Sequence, residues 1–250
     1  MKYKIILKSS HVNTPRVHRC LNNWLKDKDY VCLTDKLQGL FNEVSGSSRC
    51  DYHSAEEKTL FLINSVITTS EYDHYDWLAF VDDDAVLNTK KFEYIMPHLN
   101  KDYIYGLRMH GYGGAPELLF PSGGSGYFIS PQLIKKQKLM IDNKWGVEDV
   151  AIGMWLKQNN IHFEDHFTIG DQRYFLKLNG WFPFHEEQNM GQGGNPDEFI
   201  IEKVKENKEK VAYLKSSMTH HYIKSDLLMN YINDIFEEWE PEDMKPNKRN

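Results

Sequence analysis

The sequence has few cysteines, no long apolar run and no excess of positive charge. Cys20, Cys32 and Cys50 are odd in number and form no C-x-x-C pair, which argues against a disulfide framework or a zinc ribbon and favours a reducing compartment. The chain nowhere contains the roughly 18 consecutive apolar residues that a membrane-spanning helix needs. We therefore expect a soluble cytoplasmic protein, in the host cytoplasm if the protein is viral.

The net charge of −6 provides no global attraction to nucleic acid or to an anionic membrane. With 250 residues, of which 40% are hydrophobic, the chain can bury a sizeable core. We expect a single domain over residues 1–240. The polar tail over residues 241–250 is expected to be disordered. Nothing in the sequence indicates an oligomeric state.

The hydrophobic pattern alternates between strands and helices. Residues 3–10 predict a strand, residues 14–26 a helix and residues 30–35 a second strand. Such a β-α-β unit normally begins a parallel sheet that helices cover on both faces. After a further helix over residues 56–70, WLAFV at residues 77–81 predicts another buried strand. The fold class expected is α/β, with a central, mostly parallel sheet flanked by helices.

The second half of the chain continues this alternation. Between the predicted strands YIYGLRM and GYFIS, residues 110–124 show no apolar period, and we expect them to form an irregular loop near a functional site. Residues 147–160 predict a helix with acidic residues in its first turn. One charged helix is expected over residues 200–215 and one amphipathic helix over residues 225–240.

Three adjacent carboxylates, Asp82, Asp83 and Asp84, directly follow the buried strand WLAFV. Like charges a few ångströms apart repel one another unless a cation or strong hydrogen-bond donors hold them. Carboxylate oxygens suit Mg²⁺ or Mn²⁺ bound beside the phosphates of a substrate. Because open α/β sheets form ligand crevices at the carboxyl ends of their strands, a metal site is favoured over a solvated acidic turn.

A glycine-rich turn and a pair of acidic residues accompany this cluster. In PSGGSGYFIS, Gly123 and Gly124 allow the backbone to approach a ligand closely, although an ordinary β-turn before a strand explains them equally well. Asp149, at the start of a predicted helix, is suited to act as a general base, with Glu148 as its competitor. A simple acidic helix start is the alternative interpretation of this pair.

Histidines near the end of the chain supply candidate metal ligands. His220 and His221, in MTHHYIK, point to opposite sides if the segment is extended. Either of them, or His185, is able to complete a metal site that begins at Asp84. A histidine that is simply packed or solvated is the alternative for each.

Taken in order, these segments resemble the fringe-like and β1,3-galactosyltransferase-like (core-1 synthase-like) glycosyltransferases, which have the GT-A fold. WLAFVDDDAVL is similar to the metal-binding DxD segment of that family, PSGGSGYFIS to its GGAGY-type segment and GVEDVAIG to its E/D-D-V-x-x-G segment. The resemblance extends over roughly residues 5–235. It implies a GT-A-type, Rossmann-like fold that binds a nucleotide sugar.

The resemblance also implies an activity and roles for individual residues. The enzyme would be a metal-dependent inverting glycosyltransferase with a UDP-sugar as donor, Mn²⁺ or Mg²⁺ as cofactor and a hydroxyl group as acceptor. Asp84 takes the place of the principal metal ligand, with His221 and Asp82 beside it. Asp82 and Asp83 would lie near the ribose and diphosphate of the donor, and Asp149 would be the catalytic base.

Four further residues match positions that contact the nucleotide sugar in the family. Arg16 lies in a helix similar to the arginine-containing helix of these enzymes, and Lys58 matches the lysine of a lysine-threonine pair. Gly123 and Gly124 belong to the GGAGY-type segment. The resemblance therefore implies that all four contribute to donor binding.

The acceptor and the reaction class have alternatives. The acceptor could be a cytosolic glycan or a hydroxymethylated DNA base, as in phage-type DNA modification. Acting on DNA requires a positive surface, which Lys135, Lys136 and Lys138 or the cluster 203–210 could supply. A metal-dependent phosphohydrolase would also use clustered aspartates and histidines. A noncatalytic carbohydrate-binding protein would bind sugar without turnover.

Overall fold

The computed structural model describes residues 1–40, 42–51, 53–112, 115–138, 146–179, 197–223 and 225–244. Within these ranges the strands are β1 Tyr3–Lys8, β2 Tyr30–Thr34, β3 Glu43–Ser45, β4 Trp77–Asp82, β5 Val86–Leu87, β6 Tyr103–Gly106, β7 Arg108–Tyr112, β8 Ala115–Pro121, β9 Tyr127–Ile129, β10 His162–Glu164, β11 His166–Ile169, β12 Gln172–Phe175, β13 Leu178–Asn179 and β14 Thr219–His220. The helices are α1 Thr14–Leu21, α2 Ser54–Thr68, α3 Thr89–Ile95, α4 Pro131–Gln137, α5 Glu148–Gln158, α6 Asp197–Lys205, α7 Lys208–Ser216 and α8 Asp226–Glu237.

Seven strands form the central sheet in the order β10-β6-β9-β4-β1-β2-β3. Six of them run in the same direction, and β9 alone is antiparallel to its neighbours β4 and β6. The predicted α/β class with a mostly parallel sheet is therefore confirmed. The chain proceeds from β1 to one side of the sheet and then returns to place β4 on the other side of β1. Open α/β sheets bind ligands at such a reversal of strand order, outside the carboxyl ends of the strands.

The middle residues of the central strands are apolar because helices cover both faces of the sheet. Ile5 and Leu7 of β1 belong to one hydrophobic cluster, which Phe92 of α3 also joins. Ile6, between them, faces the opposite cluster together with Leu62 of α2. This alternation is the two-residue period of an extended strand, and it leaves polar side chains only at the strand ends, where the candidate site lies.

The loop predicted over residues 110–124 is wrong, because most of these residues form the antiparallel hairpin of β7 and β8. In β8, Leu118 and Phe120 are buried against Val150 of α5. The close approach requires Gly153, where an added Cβ atom would lie 2.5 Å from the Cβ of Phe120. In β8 the alternation of buried and exposed side chains covers only a few residues and lies among glycines and prolines. The hydrophobic pattern of the sequence therefore did not reveal this strand.

The single charged helix predicted over residues 200–215 is also wrong. The segment forms two helices, α6 and α7, which are separated near Asn207. The side chain of Asn207 accepts hydrogen bonds from the backbone N–H groups of Glu209, at 3.0 Å, and Lys210, at 3.2 Å. Asparagine competes with the helical backbone in this way, so it ends one helix and begins the next.

The end of the described chain packs against the domain. Residues Pro241–Asp243 form a short 3-10 helix, and Lys215 forms a 3.2 Å ion pair with Asp243. Residues 245–250 lie outside the described residues, so the disordered tail and the single-domain boundary stay predictions. In the described part of the chain, no helix combines the length and the apolar character needed to cross a membrane.

Candidate active site

The acidic cluster Asp82–Asp84 lies at the carboxyl end of β4, as the sequence predicts. Pairing of β5 with β14 and a 2.8 Å hydrogen bond from Ile223 N–H to the carbonyl of Asp84 bring the end of the chain to this cluster. As a result, His221 Nε2 lies 3.0 Å from Asp84 Oδ1 and 3.8 Å from Asp82 Oδ2.

Asp82, Asp84 and His221 form a candidate metal site. One donor atom from each of the three residues lies within 4.8 Å of the others. Two carboxylate oxygens and one imidazole nitrogen suit Mn²⁺ or Mg²⁺, and three protein ligands leave further coordination positions for phosphate oxygens or water. The residues present therefore fit the divalent ion that the sequence predicts.

The neighbouring His220 has a different environment. It is fully buried and stacks on Phe236, with 5.7 Å between the ring centroids. Burial lowers the pKa of His220 to about 3. His221 directly follows β14, and because successive residues of an extended segment face opposite sides, His221 faces the acidic cluster while His220 faces the core. His185, the third candidate ligand, lies outside the described residues.

The three carboxyl groups of the cluster differ in their pKa. Burial, together with the charges of Asp82 and Asp84, raises the pKa of Asp83 to about 7. Burial also acts to raise the pKa of Asp84, but the hydrogen bond and charge of His221 and the charge of Arg16 outweigh it and lower that pKa. Asp84 is thus the member of the cluster whose ionised form its neighbours favour most.

Arg16 and Ser9 hold Asp83 in place. Arg16 Nη1 lies 3.5 Å from Asp83 Oδ1 and 3.3 Å from Asp84 Oδ2, so the predicted donor-binding arginine is within reach of the cluster. The hydroxyl group of Ser9 donates to Asp83 Oδ2 at 2.5 Å. The predicted Lys58 lies nearby and donates to the carbonyl of Ser9 at 2.6 Å. Burial lowers the pKa of this lysine.

Lys8, at the end of β1, is a site residue that sequence reasoning missed. Its Nζ lies 3.0 Å from Asp82 Oδ1 and 2.7 Å from Glu148 Oε2, and it donates to the carbonyl of Gly123 at 3.1 Å. The second oxygen of Glu148 accepts a 2.6 Å hydrogen bond from the hydroxyl group of Tyr127. The sequence shows only that a lysine ends an apolar strand. The order of the strands in the sheet then places this lysine beside the acidic cluster.

Asp149 and Glu148 differ in the groups that hold their carboxylates. Both oxygens of Glu148 are engaged and its side chain is buried, so Glu148 anchors Lys8. Asp149 accepts a 2.9 Å hydrogen bond from its neighbour Val150 N–H, and its other oxygen lies 3.5 Å from Gly123 N. Burial, followed by the charge of Glu148, raises the pKa of Asp149.

The glycine-rich turn lies close to the site because its glycines carry no side chains. A Cβ atom added at Gly124 would lie 2.0 Å from Cε1 of His221, and one added at Gly123 would lie 3.3 Å from Nζ of Lys8. Glycine at both positions lets these two side chains reach the acidic cluster. A direct contact of Gly123 and Gly124 with a donor stays a prediction.

A cavity of about 490 Å³ opens over these groups. The walls contain both carboxylates of the candidate metal site, the basic residues Arg16 and Lys58 and the carboxylate Asp149. Such a mixture of charges is suited to a ligand that carries phosphate groups and also a polar group that loses a proton. The walls also include Lys8, Ser10, Val12, Cys50 and His221.

No protein-family model matches this chain, and comparison with curated protein sequences gives no match either. Among solved structures, a glycosyltransferase involved in the glycosylation of the major capsid of PBCV-1 is 11% identical, with a TM-score of 0.49, over 94% of this chain and 100% of that one. The glycosyltransferase GlyE of Streptococcus pneumoniae is 12% identical, with a TM-score of 0.46, over 100% of this chain and 67% of that one. An active-site mutant of LgtC is 10% identical, with a TM-score of 0.45, over 89% and 88% of the two chains.

All three TM-scores lie below 0.5. The fold class of this chain therefore rests on its own sheet order, and the roles of its residues rest on the geometry of the site. The resemblance to the fringe-like glycosyltransferases stays a prediction.

Proposed function

We propose that this chain is a metal-dependent inverting glycosyltransferase that moves a sugar from a UDP-sugar to an acceptor hydroxyl group. The observation that carries the proposal is the meeting of Asp82, Asp84 and His221 within 4.8 Å of one another at a cavity that Asp149 also lines. A metal-ligand set and a separate carboxylate in one cavity supply the two groups that such a transfer needs.

Asp82, Asp84 and His221 would hold Mn²⁺ or Mg²⁺. When bound, the ion offsets the negative charge of the departing diphosphate. Arg16 and Lys58 line the same cavity and provide further positive charge for phosphate groups. The proposed roles of Arg16 and Lys58 are thus binding and orientation of the donor.

Asp149 is the proposed general base. It accepts the proton of the acceptor hydroxyl group as the oxygen attacks the anomeric carbon, and UDP leaves from the opposite face. The raised pKa of Asp149 makes this carboxylate a better proton acceptor than an ordinary solvated aspartate. A suitably placed base contributes on the order of 10² to 10⁴ in rate. A single displacement of this kind inverts the anomeric centre.

We propose a glycan rather than a hydroxymethylated DNA base as the acceptor. Two of the lysines that could form a DNA-binding surface have acidic partners, because Lys135 pairs with Asp73 and Lys136 with Asp102. Such pairs reduce the local positive potential that phosphate binding requires. The net charge of −6 acts in the same direction.

Release of UDP from a panel of nucleotide sugars tests the proposal. The assay compares wild type with Asp84→Ala and His221→Ala, with and without Mn²⁺. We expect Mn²⁺-dependent release from one donor in wild type and its loss in both variants. A matched control is Asp165→Ala, which alters an acidic and histidine cluster that does not line the cavity.

Other outcomes identify the alternative classes. Liberation of inorganic phosphate from phosphoesters without any acceptor indicates a metal-dependent phosphohydrolase. Sugar binding without turnover of any nucleotide sugar indicates a noncatalytic carbohydrate-binding protein. UDP release that Asp84→Ala leaves unchanged contradicts the proposed metal site.

A further inference from the structure

A second group of metal-ligating side chains lies beside the cavity, near the carboxyl end of β2. It consists of His11, in the short 3-10 helix His11–Asn13, Asp35, directly after β2, and Cys50, in the segment before α2. One ring nitrogen, one carboxylate oxygen and the sulfur atom lie within 4.8 Å of one another. These atoms come from three separate parts of the sequence, so the fold brings them together.

Asp35 orients the imidazole ring of His11. The backbone N–H of His11 donates to Asp35 Oδ1 at 3.0 Å, and the ring atom Nδ1 contacts Asp35 Oδ2. The carboxylate side chain is 3% exposed, whereas the histidine side chain is 33% exposed. The contact holds the imidazole ring beside the carboxylate, so that a ring nitrogen and a carboxylate oxygen lie together as two candidate ligand atoms.

The segment that carries Cys50 is held against the end of β2. The hydroxyl group of Ser45 donates to the carbonyl of Asp35 at 2.9 Å. Arg49, next to Cys50, donates from Nε to Asp51 at 3.1 Å and lies 3.3 Å from Glu57 of α2. These contacts position an exposed thiol group, whereas the other two cysteines are buried.

We propose that His11, Asp35 and Cys50 bind Zn²⁺. Thiolate and imidazole ligands favour zinc, whereas the oxygen-rich set of Asp82, Asp84 and His221 favours Mn²⁺ or Mg²⁺. Three protein ligands leave a fourth tetrahedral position open. This second site does not depend on the proposed transferase activity.

The second site touches the cavity at one edge. Cys50 lines the cavity, as do Ser10 and Val12, the residues on either side of His11. Zinc binding would therefore tie two walls of the cavity, the 3-10 helix and the segment before α2, to the end of β2. Its expected consequence is a more rigid cavity edge.

The third such group among the described residues, Glu164, Asp165 and His166, is a weaker candidate. Arg108 lies 3.1 Å from Glu164 Oε2, and Arg173 donates to His166 Nδ1 at 2.8 Å. Two guanidinium groups thus already neutralise or block the donor atoms that a cation would need.

Titration with Co²⁺, a spectroscopic substitute for Zn²⁺, tests the second site. The full chain is titrated as wild type, as Asp84→Ala and as the double variant Asp84→Ala with Cys50→Ser. A cysteine thiolate bound to Co²⁺ gives a charge-transfer band in the near ultraviolet, which an oxygen and nitrogen site does not give. We expect this band in wild type and Asp84→Ala, its displacement by Zn²⁺, and its absence once Cys50 is replaced.

The conservative variant Asp35→Asn provides a graded test. It keeps the shape of the side chain but replaces a charged ligand with a neutral one. We therefore expect the Kd for Zn²⁺ to rise by at least the amount that loss of a group orienting a ligand causes, on the order of 10- to 100-fold. Asp165→Ala is the matched control and should leave the band and the Kd unchanged. Because Cys50 is exposed, Cys50→Ser should retain the wild-type circular dichroism spectrum. Absence of the band in wild type, or its persistence after Cys50→Ser, overturns the proposal.

Discussion

Lys8 and Glu148 form a buried ion pair, with 2.7 Å between Nζ and Oε2 and both side chains 6% exposed. The pair connects the end of β1 to the first turn of α5. It therefore links the strand beside the acidic cluster to the helix that carries Asp149. Lys8 also pairs with Asp82, so one cation sits between two parts of the candidate site.

Replacing Lys8 with methionine should destabilise the fold. The substitution leaves Glu148 and Asp82 without their cation, and breaking a buried pair in this way typically costs about 3–5 kcal/mol. Urea denaturation measures the free energy of unfolding. Lys136→Met is the matched control, because its pair with Asp102 is exposed and such pairs contribute about 0–1 kcal/mol. Equal losses of unfolding free energy in the two variants would show that the buried pair of Lys8 and Glu148 stabilises the fold no more than an exposed pair does.

Gly124→Ala should weaken metal binding more than it weakens the fold. The added methyl group would lie 2.0 Å from Cε1 of His221, and the ring can move away by rotation of its side chain. Misplacing one ligand should raise the Kd for Mn²⁺ on the order of 10- to 100-fold, as measured by calorimetric titration. Gly123→Ala, whose methyl group approaches Lys8 instead, should have a smaller effect on the Kd. An unchanged Kd in Gly124→Ala would remove His221 from the ligand set.

Asp149→Asn should strongly reduce turnover while the UDP-sugar still binds. The asparagine side chain keeps the shape of aspartate but cannot accept the proton, so we expect kcat to fall on the order of 10² to 10⁴. The measurement pairs steady-state kinetics with direct titration of the donor. If affinity for the donor collapses together with kcat, Asp149 binds the donor and is not the base.

Lys91 should make the stability of the fold depend on pH. Its side chain is fully buried, and burial, together with the charge of Lys177, lowers its pKa from 10.5 to about 7. Between these two values the unfolded chain holds the proton and the folded chain has released it. The free energy of unfolding should therefore rise as the pH increases from about 7 to about 10, by at most about 1.4 kcal/mol per pH unit.

Urea denaturation at a series of pH values checks this slope. Lys91→Met removes the titrating group and should flatten the curve over that range. Lys136→Met, which alters an exposed lysine, should leave the curve as it is in wild type. A steep slope that persists in Lys91→Met would assign the pH dependence to another group.

The acidic cluster was predictable from the sequence because its signal is local. Three carboxylates follow an apolar run, and the end of a buried strand is where α/β proteins place their ligands. The prediction of Asp149 as a site residue likewise used a local signal, its position at the start of a helix. The choice of His221 over His220 came from the resemblance, whereas the structure gives a reason for it, since pairing with β5 sets which histidine faces the core.

Lys8 and the β7–β8 hairpin could not be predicted in the same way. The partners of Lys8 lie 74 and 140 positions further along the chain, so only the sheet order reveals them. The burial of Leu118 and Phe120 in the hairpin depends on Gly153 in a helix far along the sequence. In both cases the deciding contact is long-range, and no pattern of neighbouring residues reports it.

Strand β9, which runs opposite to the other strands of the central sheet, limits which sequence changes the site can accommodate. Because β9 runs against β4, the beginning of β9 lies at the edge where its neighbours end, with Tyr127 opposite Phe80. The turn that enters β9 therefore forms part of the cavity wall. An inserted or deleted residue in this turn would shift the wall itself, whereas length changes at the far edge of the sheet would leave it untouched. Variation in ligand preference is thus expected to concentrate in substitutions around this turn, with its length preserved.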